Sequence, residues 1–346
     1  GWHHWPAAYR HPDAPAVARF AAAHHDRVRF HQWVQWLLDA QLAHVAAALP
    51  VMHDLPIGVD PSGADAWVWQ DLLAIDVTVG APPDEYNTLG QNWGLPPFVP
   101  HKLRAAAYEP FRHTIQATLR HAAGLRIDHV MGLFRLFWIP REAEPSTGAF
   151  VRYPADELLA ILALESARAH AFVVGEDLGT VEAEARAQLD THQLLSYRLL
   201  WFEPEPPSGC PARALAAVTT HDLPTIVGLW NGADLQAQQD LGLHPNTTGL
   251  QAIRQRLQAM TGLPDAAAVE EVVLRTHQLL AEAPSAALVA TLEDALAVAE
   301  RPNMPNTTTE WPNWSLALPC PLEAIEHHPG VQAVATALQR RAKPTQ

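Results

Sequence analysis

The stretch GLRIDHVMGLFRLFWIP, residues 124–140, sets an arginine and an aspartate two positions apart inside an otherwise apolar run. In a β-strand, side chains two apart lie on the same face, so Arg126 and Asp128 should point together. A charged pair on a buried strand is costly unless the charges are paired or do chemistry. The pattern therefore predicts either a structural ion pair at a strand end or a catalytic carboxylate with its cationic neighbour.

Two further strand-like runs also end in acids. They are AFVVGEDLGT (171–180), with Glu176 and Asp177, and AAVTTHDLPT (216–225), with His221 and Asp222. Each begins with small or β-branched apolar residues and meets Gly or Pro soon after its acid. In a barrel of alternating strands and helices, the C-terminal strand ends converge on one active site. We therefore predict that Asp128, Glu176 and Asp222 are catalytic neighbours, whereas Asp177 has a structural or capping role.

Helix-like and strand-like segments alternate along the chain, which predicts right-handed βαβ units and a parallel sheet. Helices are predicted over about 14–49, 102–123, 154–170 and 181–190, strands over 51–60 and 195–202, and a loop-rich stretch over 61–100. A helical segment at 231–285 postpones the next strand candidate to about 287. The predicted domains are barrel strands in 1–230 with a loop subdomain at about 60–100, a helical insertion at 231–285, and the last strand with C-terminal helices in 286–346.

Length and charge limit the possible functions. The 346 residues are enough for one barrel domain of about 250 residues with insertions, or for two smaller domains. With 23 Lys plus Arg against 37 Asp plus Glu, the net charge is −14. Such a charge opposes binding to nucleic acid or an anionic membrane surface. A neutral sugar polymer is a compatible partner.

Cysteine, histidine and glycine patterns argue against common cofactor sites. Cys210 and Cys320 form no CxxC spacing, so we expect neither a disulfide framework nor a zinc site, and the two thiols suit a cytoplasmic location. The 19 histidines include no HExxH motif, and those near the start are predicted to be solvated surface residues. The glycine-rich fragments lack the Lys-Ser/Thr of a phosphate-binding loop. We expect no metal and no nucleotide cofactor.

Three acids at one barrel mouth meet the needs of glycosidic-bond cleavage with retention. That reaction uses one carboxylate as nucleophile and one carboxylic acid as proton donor, about 5 Å apart. The third acid can favour the positive charge of the transition state. Arg126 should favour ionised Asp128, whereas crowding by two carboxylates should raise the pKa of Glu176. Glu176 is therefore the predicted proton donor.

Several motifs in this order resemble the 4-alpha-glucanotransferase family, also called amylomaltase or disproportionating enzyme, a relative of the alpha-amylases. They are LRIDHVMGLFRLFWIP, VVGEDLGTV, SYRLLWFE, TTHDLPT and NTLGQNWGLPPF, and the likeness runs from about Trp5 to about Leu318. The resemblance implies an α/β fold, a (β/α)8 TIM barrel of the alpha-amylase type. It also implies retaining transfer of an α-1,4-glucan segment to the 4-hydroxyl of another glucan or glucose, in glycogen or maltodextrin metabolism and without a cofactor.

The same resemblance assigns roles to the residues at the strand ends. Asp128 matches the family nucleophile, Glu176 the acid/base and Asp222 the transition-state stabiliser. Arg126 carries over as the partner of the nucleophile. His221 carries over as a hydrogen-bond donor to the sugar in the donor subsite.

Further substrate-binding residues come from the loop and strand motifs of the family. Gln91, Asn92 and Trp93 match its GQNWG loop, with Trp93 on the acceptor side, and Asp60 falls in its third-strand motif. Transfer requires that a sugar hydroxyl, rather than water, reach the glycosyl-enzyme intermediate. Trp93 and neighbouring loops are expected to exclude water.

The remaining tryptophans have a structural interpretation. They lie in helix-like or strand-like apolar contexts and are predicted to be core residues: Trp33, Trp36, Trp138 and Trp201. The first two, with Val17, Phe20 and Leu37, are expected to form an apolar helix stripe.

The chain also departs from the family pattern. It begins at Gly1, and the first strand we find matches the third strand of the family barrel. We therefore expect a truncated, six-stranded barrel with two unpaired edges. Asn306 stands where the family usually has Gly, a change that Asn tolerates because it adopts left-handed backbone angles.

Two alternatives to the transferase remain open. One is an alpha-glucan hydrolase of the same superfamily, which would share the three acids and use water as acceptor. The other is an inactive, truncated glucan-binding fragment. The products formed from maltotriose distinguish the hydrolase from the transferase. Glucan binding without turnover identifies the inactive fragment.

Overall fold

The computed structural model describes residues 1–83, 90–179 and 181–339. It divides into two compact units, here called the N-terminal unit, up to Leu195, and the C-terminal unit, from Ser196 onward. The domain boundaries given above follow strands and the insertion rather than compactness, and they stay a prediction. The first three residues of NTLGQNWGLPPF lie outside the described residues.

The N-terminal unit contains seven α-helices and seven strands within its described residues. In chain order they are α1 (Pro15–Ala23), α2 (His25–Ala48), β1 (Met52–Leu55), α3 (Ala64–Val68), β2 (Val77–Ala81), β3 (Gln91–Leu95), α4 (Pro100–Ala105), α5 (Glu109–Leu119), β4 (Gly124–Ile127), β5 (Arg135–Pro140), β6 (Ala149–Arg152), α6 (Ala155–Ala169), β7 (Phe172–Gly175) and α7 (Ala183–Thr191). Strands β1, β4 and β7 pair in parallel, with β4 in the middle. All four residues of β4 are buried, as expected for a parallel strand covered on both faces.

The core of this unit lies between the parallel strands and helices α5 and α6. The fully buried side chains from these elements include Ile115, Leu125, Leu159 and Leu162. Because these apolar side chains fill the middle of the unit, the polar residues that follow each strand emerge at the strand ends. This packing fixes the backbone from which the acids project.

A second sheet, antiparallel, occupies much of the stretch that the sequence analysis assigned to loops. Its strand order is β3-β2-β5-β6. The prediction of a loop around GQNWG is therefore wrong, because residues 91–95 form β3 and pair with β2 through a bulge at Val79/Gly80. Gly, Pro and Asn usually indicate loops, but here backbone pairing to a neighbouring strand decides the structure.

The stretch 124–140 forms two strands, β4 and β5. His129 has φ 46°, in the left-handed region, and the chain turns there between β4 and β5. The predicted helix at 102–123 is likewise divided into α4 and α5, since Ala107 and Tyr108 have φ 49° and 57°. Left-handed residues interrupt regular elements in both places.

Helices α1 and α2 agree with the predicted helical segment but not with its predicted burial. Neither helix contains a buried residue. Trp33 is 53% exposed and Trp36 is 62% exposed, so their prediction as core residues is wrong. The helical spacing of the apolar residues predicts an apolar stripe, but in the described structure no other element buries that stripe. Trp201 is 2% exposed, which confirms its core prediction, and Trp138 is half-buried.

The C-terminal unit begins with strands and continues mainly as helices. In chain order its elements are β8 (Leu195–Leu199), β9 (Ala214–Ala217), α8 (Ile226–Asn231), α9 (Ala233–Asp240), α10 (Thr247–Thr261), α11 (Val269–Leu280), β10 (Ala287–Val289), α12 (Leu292–Ala295), α13 (Leu322–Ile325) and α14 (Pro329–Leu338). Strands β8, β9 and β10 pair in parallel. The predicted helical segment at 231–285 and the strand near 287 are confirmed.

Six parallel strands are thus found in the described residues, three in each unit. The core of the C-terminal unit is built around Trp201, Trp230, Leu257 and Leu280. Asn306 has φ 64°, which confirms the expected left-handed turn. Even α2, with 24 residues, is not apolar enough to cross a bilayer, and the same holds for every other helix in the described ranges.

Candidate active site

Strand register in the N-terminal unit places two candidate acids side by side. Ile127 of β4 pairs with Gly175 of β7, so the next residue of each strand, Asp128 and Glu176, stands at the same sheet edge. The backbone continues the pairing there, because the Glu176 N–H donates to the Ile127 carbonyl at 2.9 Å. The sequence prediction that these two acids share a strand-end edge is consistent with this register.

The turn after β4 folds closely over β7. A Cβ added at Gly175 would lie 2.9 Å from a methyl carbon of the buried Val130 side chain, so only glycine permits this approach. The Val130 N–H donates to the Glu176 carbonyl at 3.0 Å. The close approach brings the His129 N–H to Glu176 Oε2, at 2.9 Å.

The Glu176 carboxyl is largely buried, and two backbone N–H groups donate hydrogen bonds to it. Its second oxygen, Oε1, accepts from the Leu178 N–H at 2.7 Å. Burial raises the pKa of Glu176 to about 7, and the negative charge of Asp128 adds to the increase, although the two backbone N–H groups and Arg126 oppose it. The direction predicted from the sequence is confirmed, but burial rather than crowding by carboxylates is the main cause.

Arg126 links Asp128 to a third carboxylate. Its side chain is buried, and its Nη1 donates to both oxygens of Asp54, at 2.7 and 2.8 Å. Its Nη2 donates to Asp128 Oδ1 at 2.8 Å. The guanidinium thus stands between two carboxylates, which compensate its buried positive charge.

Asp54 is a site residue that the sequence reasoning missed. It lies on β1 directly opposite Arg126 in the parallel register. The available signal was its place in MHDLP, an acid between apolar residues just before a proline. The strand predicted over 51–60 is shorter in the structure, since β1 ends at Leu55.

Asp60 has a local structural role in the described fold. It is exposed, and its Oδ1 accepts from the Ser62 N–H at 2.8 Å while its carbonyl accepts from the Gly63 N–H at 2.9 Å. Such bonds stabilise a turn. The expectation that Asp60 ends a strand is therefore wrong.

The GQNWG residues meet the turn after β4. The indole of Trp93 packs edge-on against the His129 ring, with centroids 5.2 Å apart. Trp93 Nε1 donates to Gln91 Oε1 at 2.8 Å, and Asn92 Oδ1 accepts from the Gly94 N–H at 2.9 Å. Burial, together with the nearby Arg135, lowers the pKa of His129 to about 4, so this ring is neutral at physiological pH. Trp93 is half-buried and Asn92 is exposed.

In the C-terminal unit, His221 and Asp222 follow β9 in a tight loop. His221 Nε2 lies 3.3 Å from Asp222 Oδ2, and both side chains are about one-third exposed, at 33% and 39%. The Asp222 N–H donates to Thr220 Oγ1 at 3.2 Å. The loop therefore presents an imidazole and a carboxylate together.

A segment near the C-terminus holds this loop, and the sequence analysis did not identify its residues. Asn303 Nδ2 donates to Asp222 Oδ1 at 2.6 Å, and Arg301 Nη1 donates to the Asp222 carbonyl at 2.7 Å. Arg301 is itself fixed by a buried two-bond pair with Asp234, at 2.6 Å each. Nothing local in the sequence links residues so far apart, since the contacts span the whole helical segment.

The other polar candidates have structural surroundings. Asp177 is buried, and its Oδ2 lies 3.9 Å from Arg186 Nε, in keeping with the expected structural role. The early histidines at positions 4, 24, 25 and 31 are exposed as predicted, whereas His3 is partly buried. In the ranges that the structure covers, no group of three or more His, Cys, Asp or Glu is arranged to hold a metal ion.

Comparison with known proteins identifies the family of this chain. Residues 1–322 match the family model described as 4-alpha-glucanotransferase. The chain is 45% identical over 348 residues to the 4-alpha-glucanotransferase of Mycobacterium tuberculosis strain H37Rv. This chain belongs to the 4-alpha-glucanotransferase family. The alignment covers 92% of this chain and 48% of the mycobacterial protein, so the chain spans about half the length of the curated relatives it matches.

Two solved amylomaltases have the same fold as this family member. The crystal structure of amylomaltase from Corynebacterium glutamicum matches with a TM-score of 0.83 and 34% identity, covering 90% of this chain and 50% of that one. Amylomaltase from Streptococcus agalactiae, in complex with acarbose, matches with a TM-score of 0.78 and 18% identity, covering 97% of this chain and 67% of that one. The predicted α/β fold of the TIM-barrel type is confirmed.

Proposed function

We propose that this chain carries out the retaining transfer of α-1,4-glucan segments that its family name describes. The observation that carries the proposal is the contrast between two neighbouring carboxyl groups. Glu176 has a pKa raised to about 7, so it retains a proton at near-neutral pH, whereas Asp128 is paired with the Arg126 guanidinium. Two carboxyl groups with opposed environments are the signature of an acid and a nucleophile.

The first half-reaction then follows from the two groups. Glu176 donates its proton to the glycosidic oxygen, and Asp128 attacks the anomeric carbon from the opposite side. The C–O bond breaks, the shortened glucan leaves with the proton, and a covalent glycosyl ester forms on Asp128. Glu176 is left as a carboxylate, stabilised by the two backbone N–H donors from His129 and Leu178.

In the second half-reaction Glu176 acts as a base. It removes the proton from the 4-hydroxyl of an acceptor sugar, whose oxygen attacks the same anomeric carbon and releases Asp128. Two inversions give net retention. The chemistry needs only these side chains and no cofactor.

The remaining roles are assigned by motif and supported by local geometry. We assign Asp222 to transition-state stabilisation and His221 to a hydrogen bond with the donor sugar. The support is that Asn303 and Arg301 hold the Asp222 loop by contacts of 2.6 and 2.7 Å. Trp93 is assigned to the acceptor side, because its half-buried indole packs on His129, which directly follows Asp128 and whose N–H donates to Glu176.

The test uses maltotriose as substrate and three single variants. Asp128→Asn and Glu176→Gln should each abolish glucose release, because one removes the nucleophile and the other the proton donor. Asp39→Asn, the same kind of change on the exposed helix α2, should leave it unaltered. Wild-type rates in either site variant would refute the assignment.

Chromatography of the products separates the alternatives. Longer maltooligosaccharides accumulating from maltotriose indicate transfer. Steady shortening indicates an alpha-glucan hydrolase. Binding of maltoheptaose without turnover indicates an inactive glucan-binding fragment.

We also propose that the chain works in the cytoplasm, in glycogen or maltodextrin metabolism. The support is chemical: Cys210 and Cys320 are both free thiols, which suits a reducing compartment. Cell fractionation followed by detection of the protein tests this. Recovery in an oxidising compartment would contradict it.

A further inference from the structure

One tryptophan in the C-terminal unit is presented to solvent in a way that core packing does not explain. Trp314 is 65% exposed, although Trp is among the side chains that gain most from burial. Its backbone has φ 59°, a left-handed conformation that is unfavourable for a bulky residue. Strained backbone is maintained where surrounding contacts enforce it, and such positions cluster at binding sites.

The exposure of Trp314 is not a consequence of a loose loop. The preceding Asn313 ties the loop to two earlier residues, since its Oδ1 accepts from the Met304 N–H at 2.8 Å and its Nδ2 donates to Thr307 Oγ1 at 2.8 Å. The Trp314 N–H donates to the Pro302 carbonyl at 2.9 Å. These hydrogen bonds give the loop a defined conformation, in which the Trp314 indole faces solvent.

The outward indole stands beside the candidate residues of this unit. Its ring lies 4.9 Å from the His221 ring, centroid to centroid, at 56°. His221 in turn lies 3.3 Å from Asp222. The short segment that carries Trp314 also supplies Asn303, whose amide donates to Asp222 at 2.6 Å. One segment thus positions both the carboxylate and the flat aromatic surface next to it.

We propose that Trp314 is an aromatic platform on which a glucose ring of an α-1,4-glucan stacks beside His221 and Asp222. In glucose the hydroxyls are equatorial, so the C–H groups form apolar ring faces that match the flat face of an indole. Binding would desolvate both surfaces, and sites for small polar ligands commonly combine such an apolar wall with a few placed polar groups. This inference rests on the proposed function, because it specifies how the same substrate class is held.

The main experiment measures binding and turnover together. Trp314→Ala should weaken maltoheptaose binding, followed by calorimetry, about ten-fold, which corresponds to about 1.4 kcal/mol. The KM of Trp314→Ala should rise as its affinity falls. Its kcat should change little, because the platform contacts the sugar equally in the ground state and in the transition state. Trp314→Phe keeps a flat ring and should restore most of the affinity. Trp36→Ala, an equally exposed tryptophan on α2 at 62%, is the matched control and should bind like the wild type.

A second measurement uses the unaltered chain and does not depend on the folding of a variant. N-bromosuccinimide oxidises exposed indoles, and peptide mass spectrometry can follow Trp314 and Trp36 separately. Maltoheptaose should slow oxidation at Trp314 and leave Trp36 unchanged. Equal oxidation of Trp314 with and without the sugar would overturn the platform.

The outcomes separate this inference from the proposed function. If the wild type transfers glucan and Trp314→Ala binds maltoheptaose equally well, the platform is wrong and the function stands. A fall in kcat with unchanged binding would also overturn it, because the ring would then act only by supporting His221. If the wild type neither binds nor transfers, the proposed function fails and the platform fails with it.

Discussion

The raised pKa of Glu176 predicts a specific dependence of folding stability on pH. The pKa rises from 4.5 to about 7, first because of burial and then because of Asp128. Between these two pH values the folded state keeps a proton that the unfolded chain has already released. The stabilising contribution of this group is fully present below pH 4.5 and is lost as the pH rises to about 7. At 1.36 kcal/mol per pH unit, the loss is about 3 kcal/mol.

The assay compares the wild type with Glu176→Gln by urea denaturation from pH 4 to pH 8. The variant carries no titrating group there, so the free energy of unfolding of the wild type minus that of the variant should fall by about 3 kcal/mol across this range. Any destabilisation of the variant by its new amide, beside the His129 and Leu178 N–H groups, is constant with pH. Because only the change of the free-energy difference with pH is compared, that constant amount cancels. A difference that stays within about 0.5 kcal/mol, or that increases with pH, would refute the reasoning.

A control of opposite sign is available in the same unit. The pKa of Asp39 is lowered, first by its hydrogen bond with His121 and then by Arg120. Its stabilising contribution is therefore present above the unfolded pKa and lost as the pH falls through the folded one. For Asp39→Asn the difference from the wild type should grow, not shrink, as the pH rises from the acidic end.

Three further substitutions test contacts that fix the site and the fold. Asp54→Asn removes one of the two carboxylates paired with the buried Arg126 and should lower the free energy of unfolding in urea by about 1–2 kcal/mol; no change would mean that Asp128 alone suffices for that guanidinium. Asp234→Asn leaves the buried Arg301 uncompensated and should cost about 3–5 kcal/mol, seen as a lower Tm; an unchanged Tm would contradict the burial of this pair. Trp36→Ala should change stability by no more than about 0.5 kcal/mol, because its side chain is exposed, and a loss above about 2 kcal/mol would indicate that α2 is covered.

The local chemistry of the strand ends was largely predictable. The period of two in a strand put Arg126 and Asp128 on one side, and they form a 2.8 Å ion pair. The apolar run before Glu176 predicted a buried strand, and burial is what raises the pKa of this acid. These predictions succeeded because they depend on neighbours in sequence and on the pleat of a single strand.

The errors have a common physical origin in partners distant in sequence. The GQNWG segment forms a strand because β2 pairs with it, which composition alone does not reveal. Trp36 lies on a helix with apolar spacing, but it is exposed because burial depends on what packs against the helix. Asp54 contacts Arg126 because the register of β1 and β4 places the two residues opposite each other.

By itself, the sequence determined the alternation of helices and strands, the acids that end those strands and the family to which they belong, since each is written in residue type and short-range spacing. The tertiary structure alone decided the bridging of Arg126 between Asp54 and Asp128, the anchoring of Asp222 by Arg301 and Asn303, and the display of Trp314 beside His221. Those contacts join residues up to 93 positions apart. Only the register of paired strands and the packing of long connections can bring such atoms within hydrogen-bonding or stacking distance.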